Sequence, residues 1–374
     1  MRTDRPERRI CTALIVLAAA LAAGLLVSSL DLPGLGEAGR RALGIFVVAA
    51  ILWIAEPFPL YVTSFVIVIL EVIFLGLPGG PLGLPRGGYA IFMRPFFDPV
   101  VALFLGGFVL AKGVKRYRLD ERIARGILSR VGERPAMVLL GMMITTSALS
   151  MWISNTATCA LMIAVALPVV HTLPENEPFR TAILLGIPFA ADIGGIGTPI
   201  GTPPNAIAMG ILRQTGADIT FLGWMARGIP VVVLLILVAW ALLRRIYPAG
   251  TDSIRLPGAA SPPMGRRSWL VVGVFGLVVA LWLTGGLHGV PAAAVALLPF
   301  VIFFGFGLLE REDLGDLGWG VLLIIGGGMS LGVAMRESGL TGWIVARLPI
   351  EGLGMLPILF VLAGAAVAMT TFIS

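Results

Sequence analysis

Long apolar stretches, almost free of charge, constrain this chain more than any other feature of its sequence. Only 13% of its 374 residues are charged, where soluble domains have about 25%. About 20 apolar residues in a helix span a bilayer, and lipid offers no partners to an open backbone. The stretches lack the alternation of barrel strands, so they predict an all-α polytopic membrane protein. They cover residues 10–30, 42–55, 60–77, 98–111, 137–170, 181–212, 229–243, 269–287, 290–309, 319–335 and 353–373.

The distribution of basic residues predicts the orientation of the chain. With a cytoplasmic N-terminus, 19 of the 27 Lys and Arg residues fall in inner loops, as the positive-inside rule requires. Topology therefore explains the net charge of +6, and no basic patch with interleaved aromatic residues indicates nucleic-acid binding. The first apolar run is longer than the core of a signal peptide, so it predicts a retained span. We expect a multi-pass protein of the plasma (cell inner) membrane.

An internal repeat divides the chain. Residues 102–123 resemble residues 322–344 at an offset of 221, and a second match follows at an offset of 220. Counting crossings places the two copies in opposite orientations, a common plan for secondary transporters. The matched pairs are Gly106, Gly107, Leu110, Leu119 and Ile123 with Gly327, Gly328, Leu331, Leu340 and Ile344, and then Ala148, Ser150, Ile153 and Ser154 with Ala368, Thr370, Ile373 and Ser374.

The repeat predicts four segments. Residues 1–77 form N-terminal membrane helices, and residues 98–245 form the first repeat, with a re-entrant hairpin near 135–173 and a broken helix near 181–212. Residues 246–268, rich in Pro and Gly, form a cytoplasmic linker. Residues 269–374 form an incomplete second repeat that ends inside its hairpin. Within the first repeat, Leu119, Ile123, Ile127 and Val131 recur every four positions, which predicts an amphipathic helix at the inner surface.

Two polar segments interrupt the apolar pattern at mid-membrane depth. The first, LSMWISNTATCALM (149–162), lies in a run of about 33 residues between Pro135 and Pro168. Two full spans need about 40 residues, so we expect a re-entrant hairpin with Ser154–Thr156 at its tip. Ser150 and Ser154 are four apart and share a helix face.

The second segment, ADIGGIGTPIGTPPNAIAMG (191–210), carries Gly and Pro at a density that excludes a continuous helix. An unwound turn over Gly195–Gly201 would expose carbonyl oxygens to a hard cation. Helix N-termini at the breaks offer free N–H groups. With Asn155, Thr156 and Thr202, they could hold a carboxylate without any Lys or Arg, as broken-helix carriers do.

LSMWISNTAT and IGGIGTPIGTPPN resemble signature segments of the divalent anion/sodium symporter family, which includes the sodium-dependent di- and tricarboxylate carriers. LGGFVLAKGVKRYRLDERIA, IIGGGMSLGVAMRESGL and ILWIAEPFPLYVTS resemble other segments of it, so that the likeness covers nearly all of residues 42–374. The resemblance implies an inverted-repeat secondary transporter with re-entrant hairpins and broken helices. It also implies symport of a di- or tricarboxylate or similar divalent anion with sodium, a homodimer, and no cofactor besides the coupling sodium ions.

The resemblance also implies roles for individual residues, because the family uses its hairpin tips and glycine turns to bind sodium and substrate. Thr370 and Ser374 match the start of a second half-site. The sodium-binding positions are Ser150, Ser154, Asn155, Gly201 and Thr370, and the substrate-binding positions are Asn155, Thr156, Thr202 and Ser374.

The sequence departs from the family pattern at two places. It ends at Ser374, before the expected second Asn-Thr and glycine turn, so we expect a fragment that is not a competent transporter alone. Asp192 stands where the family carries Ser or Asn. It either couples an ion or proton, as intramembrane acids commonly do, or is simply a water-exposed carboxylate. Glu56 and Glu71 are expected near the membrane interfaces.

Two other functions fit parts of the sequence. A proton-coupled or exchange-type anion permease, resembling arsenite permeases, would share this architecture. Gly328–Gly332 matches the nucleophile elbow of a serine hydrolase, but that motif needs a strand–turn–helix setting and acid and His partners. Both His171 and His288 precede Ser330, so an intramembrane hydrolase is a remote alternative. No Walker A motif or metal spacing occurs in the sequence, and we predict a transporter and not an enzyme.

Overall fold

The computed structural model describes residues 4–214, 216–217, 219–254, 264–347 and 354–372, and the side chains of most of them. Helices account for 76% of the described residues, and no strand occurs in these ranges. Within them, seven helical segments are long and apolar enough to cross a membrane. The prediction of an all-α polytopic membrane protein is therefore confirmed.

The helices follow one another with short connections. In chain order they are α1 Asp4–Ser29, α2 Glu37–Ala55, α3 Leu60–Glu71, α4 Ala90–Met93, α5 Pro99–Arg116, α6 Leu119–Leu128, α7 Pro135–Ser150, α8 Asn155–Thr172, α9 Phe179–Gly195, α10 Pro203–Gln214, α11 Phe221–Ile246, α12 Arg266–Leu283, α13 Gly285–His288, α14 Ala292–Ala296, α15 Leu298–Gly305, α16 Arg311–Gly315, α17 Trp319–Glu337, α18 Leu340–Val345 and α19 Met355–Phe372. A π turn over Val72–Gly76 extends α3, and a 3₁₀ turn over Arg94–Phe97 follows α4.

The chain forms two compact units. The terminal unit comprises Met1–Asp98 and Gly320–Ser374, and the central unit comprises Pro99–Trp319. In the terminal unit, Leu52, Ile67, Leu75 and Phe92 are fully buried in one apolar cluster. These boundaries differ from the four segments expected from the repeat, and that division stays a prediction.

The central unit packs around α7 and α9, and its connections carry specific polar links. Trp240 Nε1 on α11 donates to the Ala136 carbonyl oxygen at 2.8 Å, which fixes the start of α7. In the linker, the Ile254 amide donates to the Glu133 carbonyl oxygen at 2.7 Å. The described part of the linker therefore lies against the loop that precedes the hairpin.

Helix boundaries repeat at the offsets seen in the sequence. The ends of α5 at Arg116 and α17 at Glu337 are 221 residues apart, and the starts of α7 and α19 are 220 apart. Each long helix is followed by a short one after a residue with left-handed backbone, Arg118 (φ +52°) and Gly339 (φ +77°), again 221 apart. Local structure thus follows the internal repeat, while the opposite orientation of the copies stays a prediction.

The amphipathic helix is present as α6, but its buried face differs from the expected one. Leu119, Ala124 and Leu128 are buried, whereas Ile123 is 46% exposed and Val131 lies beyond the helix end. A spacing of four drifts around a helix that has 3.6 residues per turn, so the expected stripe was wrong in part. Burial of Asp120 on the same helix raises the pKa of its carboxyl above the usual value.

Candidate substrate and ion site

The expected hairpin is formed by α7 and α8, which meet at a four-residue turn, Met151–Ser154. Ser154 caps α8, because its Oγ accepts a hydrogen bond from the Ala157 amide at 3.4 Å. The first N–H groups of α8, from Asn155 onward, therefore point out of the helix at the turn. Ser154 and Thr156 are exposed and Asn155 is half-buried. Whether the hairpin is re-entrant stays a prediction.

Three of the predicted residues form one hydrogen-bonded cluster, which we call the Asn155 cluster: Ser150, Asn155 and Asp192. Asn155 Nδ2 donates to Asp192 Oδ1 at 2.9 Å. The fully buried Ser150 Oγ lies 2.8 Å from Asn155 Oδ1 and 2.7 Å from the Ala191 carbonyl oxygen. Since a hydroxyl carries one proton, it donates to one of these acceptors at a time. Asp192 is exposed, so its carboxylate is open to solvent or to an ion.

The glycine turn between α9 and α10 is unwound, as the sequence predicted. Residues 196–202 are non-helical. Asn205 Nδ2 donates to the carbonyl oxygens of Gly195 and Thr198, both at 2.8 Å. Thr198 Oγ1 in turn donates to the Met151 carbonyl oxygen. Asn205 and Thr198 are buried and hold the turn to itself and to the hairpin.

Two glycines at the end of α9 allow the turn to approach the hairpin. A Cβ on Gly194 would collide with the backbone of Ser147 in α7. A Cβ on Gly195 would lie 2.9 Å from Asn155 Oδ1 and 3.4 Å from the Gly201 carbonyl oxygen. A side chain at position 195 would therefore displace the Asn155 amide, and Gly195 lies between that amide and the far side of the turn.

The starts of α8 and α10 therefore come together around Gly195. Thr202 is half-buried and directly precedes α10. Its carbonyl oxygen accepts a hydrogen bond from the backbone amide of Asn205 at 3.1 Å. From α11, Trp224 Nε1 donates to the Ile196 carbonyl oxygen at 3.0 Å and supports the turn from behind. The arrangement offers hydroxyl, amide and carbonyl oxygens, one carboxylate and two helix N-termini within one region of the central unit.

The remaining predicted site residues are not part of what the structure describes. Thr370 lies in α19 without a described side chain, and Ser374 lies outside the described residues. Their roles stay predictions, as do the roles of the residues in the first half-site.

Sequence reasoning missed three polar residues of this region. Asn205 and Thr198 belong to the quoted glycine motif, and a polar side chain beside an unwound turn could have been expected to bond its carbonyls. Thr158, one helical turn beyond Ser154, is fully buried, and its Oγ1 has no partner among the described residues. Nothing in its sequence context distinguishes it from the threonines that simply bond to their own helix, such as Thr145 with the Gly141 carbonyl oxygen.

A separate cavity of about 470 Å³ lies against the hairpin turn. Trp152, Ile153, Trp269 and Phe275 contribute to its wall, and Arg122 is the one charged residue among the described residues that line it. An apolar wall does not replace the hydration of a divalent anion. The candidate site for an anion is therefore the Asn155 cluster with the glycine turn, since its groups are polar, and not this cavity.

A family model described as a citrate transporter, CitMHS, matches residues 50–374. The chain belongs to this family. The match covers both polar segments and the repeat, so the protein is a transporter and not an enzyme. Ser330, in the elbow-like motif, lies inside the continuous helix α17, which is not the setting of a catalytic serine.

Relatives of known name agree with the family. The transporter is 34% identical to a sodium-dependent dicarboxylate transporter, SdcS, of Staphylococcus saprophyticus over 361 residues, 85% of this chain and 68% of that protein. It is 32% identical to SdcS of Staphylococcus aureus over 360 residues, 85% of this chain and 67% of that protein. An uncharacterised transporter of Schizosaccharomyces pombe is 29% identical over 344 residues, 90% of this chain and 39% of that protein. The resemblance to sodium-dependent dicarboxylate carriers is thus confirmed.

Proposed function

We propose that this secondary transporter carries di- or tricarboxylates, or similar divalent anions, across the plasma membrane in symport with sodium. The observation that carries the proposal is the Asn155 cluster beside the unwound glycine turn. Relatives named as sodium-dependent dicarboxylate transporters support the same activity. Movement of one repeat against the other would provide alternating access.

Sodium binds where uncharged oxygens converge. Ser150, Ser154 and Asn155 supply side-chain oxygens, and Gly201 supplies a backbone carbonyl oxygen at the turn. Hard cations favour such oxygen ligands, and unwound helices in carriers expose them. Asp192, hydrogen-bonded to Asn155, adds negative charge that attracts the cation. Thr370 contributes to the matching second half-site.

The anion binds through dipoles and not through basic side chains. Asn155, Thr156 and Thr202 stand at the starts of α8 and α10, where free N–H groups favour negative charge. Ser374 completes the set from the second half-site. The negative charge of Asp192 opposes an anion until sodium neutralises it, so sodium binds first.

The membrane potential assists a cycle that carries net positive charge, by about 2.3 kcal/mol per charge per 100 mV. In this proposal the N-terminus is cytoplasmic. The protein works as a homodimer, as the family resemblance implies. It needs no cofactor besides sodium ions.

Proton coupling is a second candidate, because the Asp192 carboxylate is exposed and bonded to Asn155. A carboxyl that takes up a proton at this position would do the work of a sodium ion. In that case the protein resembles a proton-coupled or exchange-type permease. Asp192→Asn then abolishes coupling to a pH gradient, whereas in the sodium symporter it changes the apparent sodium affinity.

The test measures sodium-dependent binding and uptake of labelled succinate and citrate. Purified protein is assayed for binding in sodium and in choline buffers, and proteoliposomes are assayed for uptake with an inward sodium gradient. We expect the labelled anion to bind in the sodium buffer and not in the choline buffer. We expect Asn155→Ala to lose this binding. Asn176→Ala, an exposed asparagine in the loop after α8, is the matched control and keeps binding.

The outcomes separate the candidates. Binding that is equal in sodium and choline but depends on pH and on Asp192 contradicts the sodium proposal and favours proton coupling. Binding that survives in Asn155→Ala contradicts the assignment of the site. Sodium-dependent binding without uptake supports the assignment of the site and contradicts the proposal that the purified protein carries these anions.

A further inference from the structure

A glutamate is fully buried in the terminal unit, and it is not one of the residues of the proposed transport site. Glu71 ends α3, directly before the π turn, and none of its surface is exposed. One carboxyl oxygen, Oε2, is hydrogen-bonded to Ser330 Oγ on α17. The other, Oε1, is buried without a partner among the described residues. The sequence suggested a position near an interface and gave no sign of this burial.

The protons of this contact can be counted. Ser330 Oγ also lies 2.7 Å from the Phe92 carbonyl oxygen, at α4. A serine hydroxyl has one proton to donate, and a carbonyl oxygen only accepts. If the Ser330 hydroxyl donates to the Phe92 carbonyl oxygen, it has no second proton for Glu71. The contact between Ser330 Oγ and Glu71 Oε2 is then a hydrogen bond only when Oε2 itself carries a proton. A protonated carboxyl donating to Ser330, which donates to Phe92, is the one assignment that satisfies both contacts.

Among the residues that the structure describes, no salt bridge to Glu71 offsets a carboxylate here. Arg41 comes to the same turn, where its Nη1 donates to the Phe74 carbonyl oxygen at 2.9 Å, but its ion pair is with Glu37, at 2.5 Å. An unpaired buried carboxylate is strongly unfavourable and takes up a proton instead. Other charged side chains lie on the elements that pack around Glu71. Arg40 is paired with Asp31, and Arg336 is paired with Glu337. Arg94 is exposed and Asp98 is half-buried.

We propose that Glu71 is a proton-binding site that holds α3, α4 and α17 together. Its ligand is a single proton. When the proton leaves, two acceptors face each other across Ser330, and the carboxylate is left with one unsatisfied oxygen in an apolar core. The three helices then separate or admit water. The terminal unit therefore responds to proton concentration through a group that takes no part in binding sodium or anion.

Infrared spectroscopy of the full 374-residue chain in lipid nanodiscs tests the proton directly. At neutral pH we expect a carbonyl stretching band of a protonated carboxyl that shifts in heavy water and is missing in Glu71→Gln. Glu56→Gln, at an exposed glutamate after α2, is the matched control and keeps the band. Ser330→Ala keeps the band at a higher frequency, because the acid loses its acceptor. If no protonated-carboxyl band of the wild type is lost in Glu71→Gln, the proposal is contradicted.

Thermal unfolding against pH gives an independent readout. The folded unit holds a proton that an unfolded glutamate releases at neutral pH, so stability falls as pH rises. Glu71→Gln keeps both hydrogen bonds without a proton to lose and flattens this fall, whereas Glu56→Gln does not. Equal slopes in wild type and Glu71→Gln overturn the proposal. If Glu71→Gln does not fold, the wild-type spectrum decides: a protonated-carboxyl band at neutral pH that rises in frequency in Ser330→Ala supports the site, and the absence of such a band contradicts it.

Discussion

At the scale of single residues, the site depends on amides that connect segments of the chain. Asn155 bridges the hairpin to Asp192 on α9, and Asn205 ties two carbonyl oxygens of the glycine turn to α10. The first of these was expected as a ligand. The second is a positioning residue, because its donors are used within the turn and its side chain is buried. Both side chains are short and rigid, which fixes the spacing of the oxygens around Gly195.

The role of Asn205 predicts a variant with a specific defect. Asn205→Ala leaves two carbonyl oxygens of the turn without their donor. Each unsatisfied buried group costs about 1–3 kcal/mol, so we expect a lower unfolding temperature together with loss of sodium-dependent succinate binding. Unfolding temperatures with and without sodium and succinate measure both effects. Asn176→Ala, at an exposed position, should change neither, and normal sodium-dependent binding by Asn205→Ala would exclude the positioning role.

At the scale of elements, helix ends supply the backbone groups of the proposed site. Gly and Pro end α9 at Gly195 and start α10 at Pro203, because neither residue supports a continuous helix there. Ser154 begins α8 by capping it. Each break leaves N–H groups or carbonyl oxygens unpaired by the helix, and the fold brings these ends to one place.

The cap of α8 can be separated from the ligand role of the same residue. Ser154→Ala and Thr220→Ala each remove a hydroxyl that caps a helix, α8 and α11 respectively. Each should destabilise the protein by about 1 kcal/mol, measured by thermal unfolding. Only Ser154→Ala should also raise the sodium concentration needed for half-maximal succinate binding. An equal effect of both variants on sodium dependence would show that the hydroxyl of Ser154 acts as a cap alone.

At the scale of the whole molecule, ion pairs between distant segments close the central unit. Lys112 and Arg116, at the end of α5, pair with the buried Asp313, which also caps α16. Arg116 and Asp313 are 197 residues apart in the chain. Composition and hydropathy give no indication of this contact, because charged residues near helix ends are equally expected to face water.

Removing one partner of this network should therefore lower the stability of the protein more than breaking a surface ion pair does. Arg116→Ala leaves the buried Asp313 without its guanidinium, and we expect a loss of about 1–3 kcal/mol. Arg118→Ala breaks a pair with Glu121 in which the arginine is 71% exposed, and solvent screening leaves such a pair with little effect on stability. Denaturation of both variants in the same detergent gives the comparison. Equal losses would indicate that solvent screens the Arg116 network as well.

The sequence alone determined the fold class, the hairpin turn and the break in the second polar segment. The length of an apolar run is set by the thickness of the bilayer, and Gly and Pro act through the backbone dihedral angles. Both effects are local, so they can be predicted from the sequence without knowing which residues lie nearby in the fold. The motif residues also led to the family, which the family match confirmed.

Only the tertiary structure decided which side chains meet. The bond between Asn155 and Asp192, the two bonds of Asn205, the buried face of α6 and the burial of Glu71 beside Ser330 all depend on how helices pack. Ser330 and Glu71 are 259 residues apart, and no local pattern links them. Burial and hydrogen-bond partners arise from contacts between distant segments, and those contacts exist only once the chain has folded.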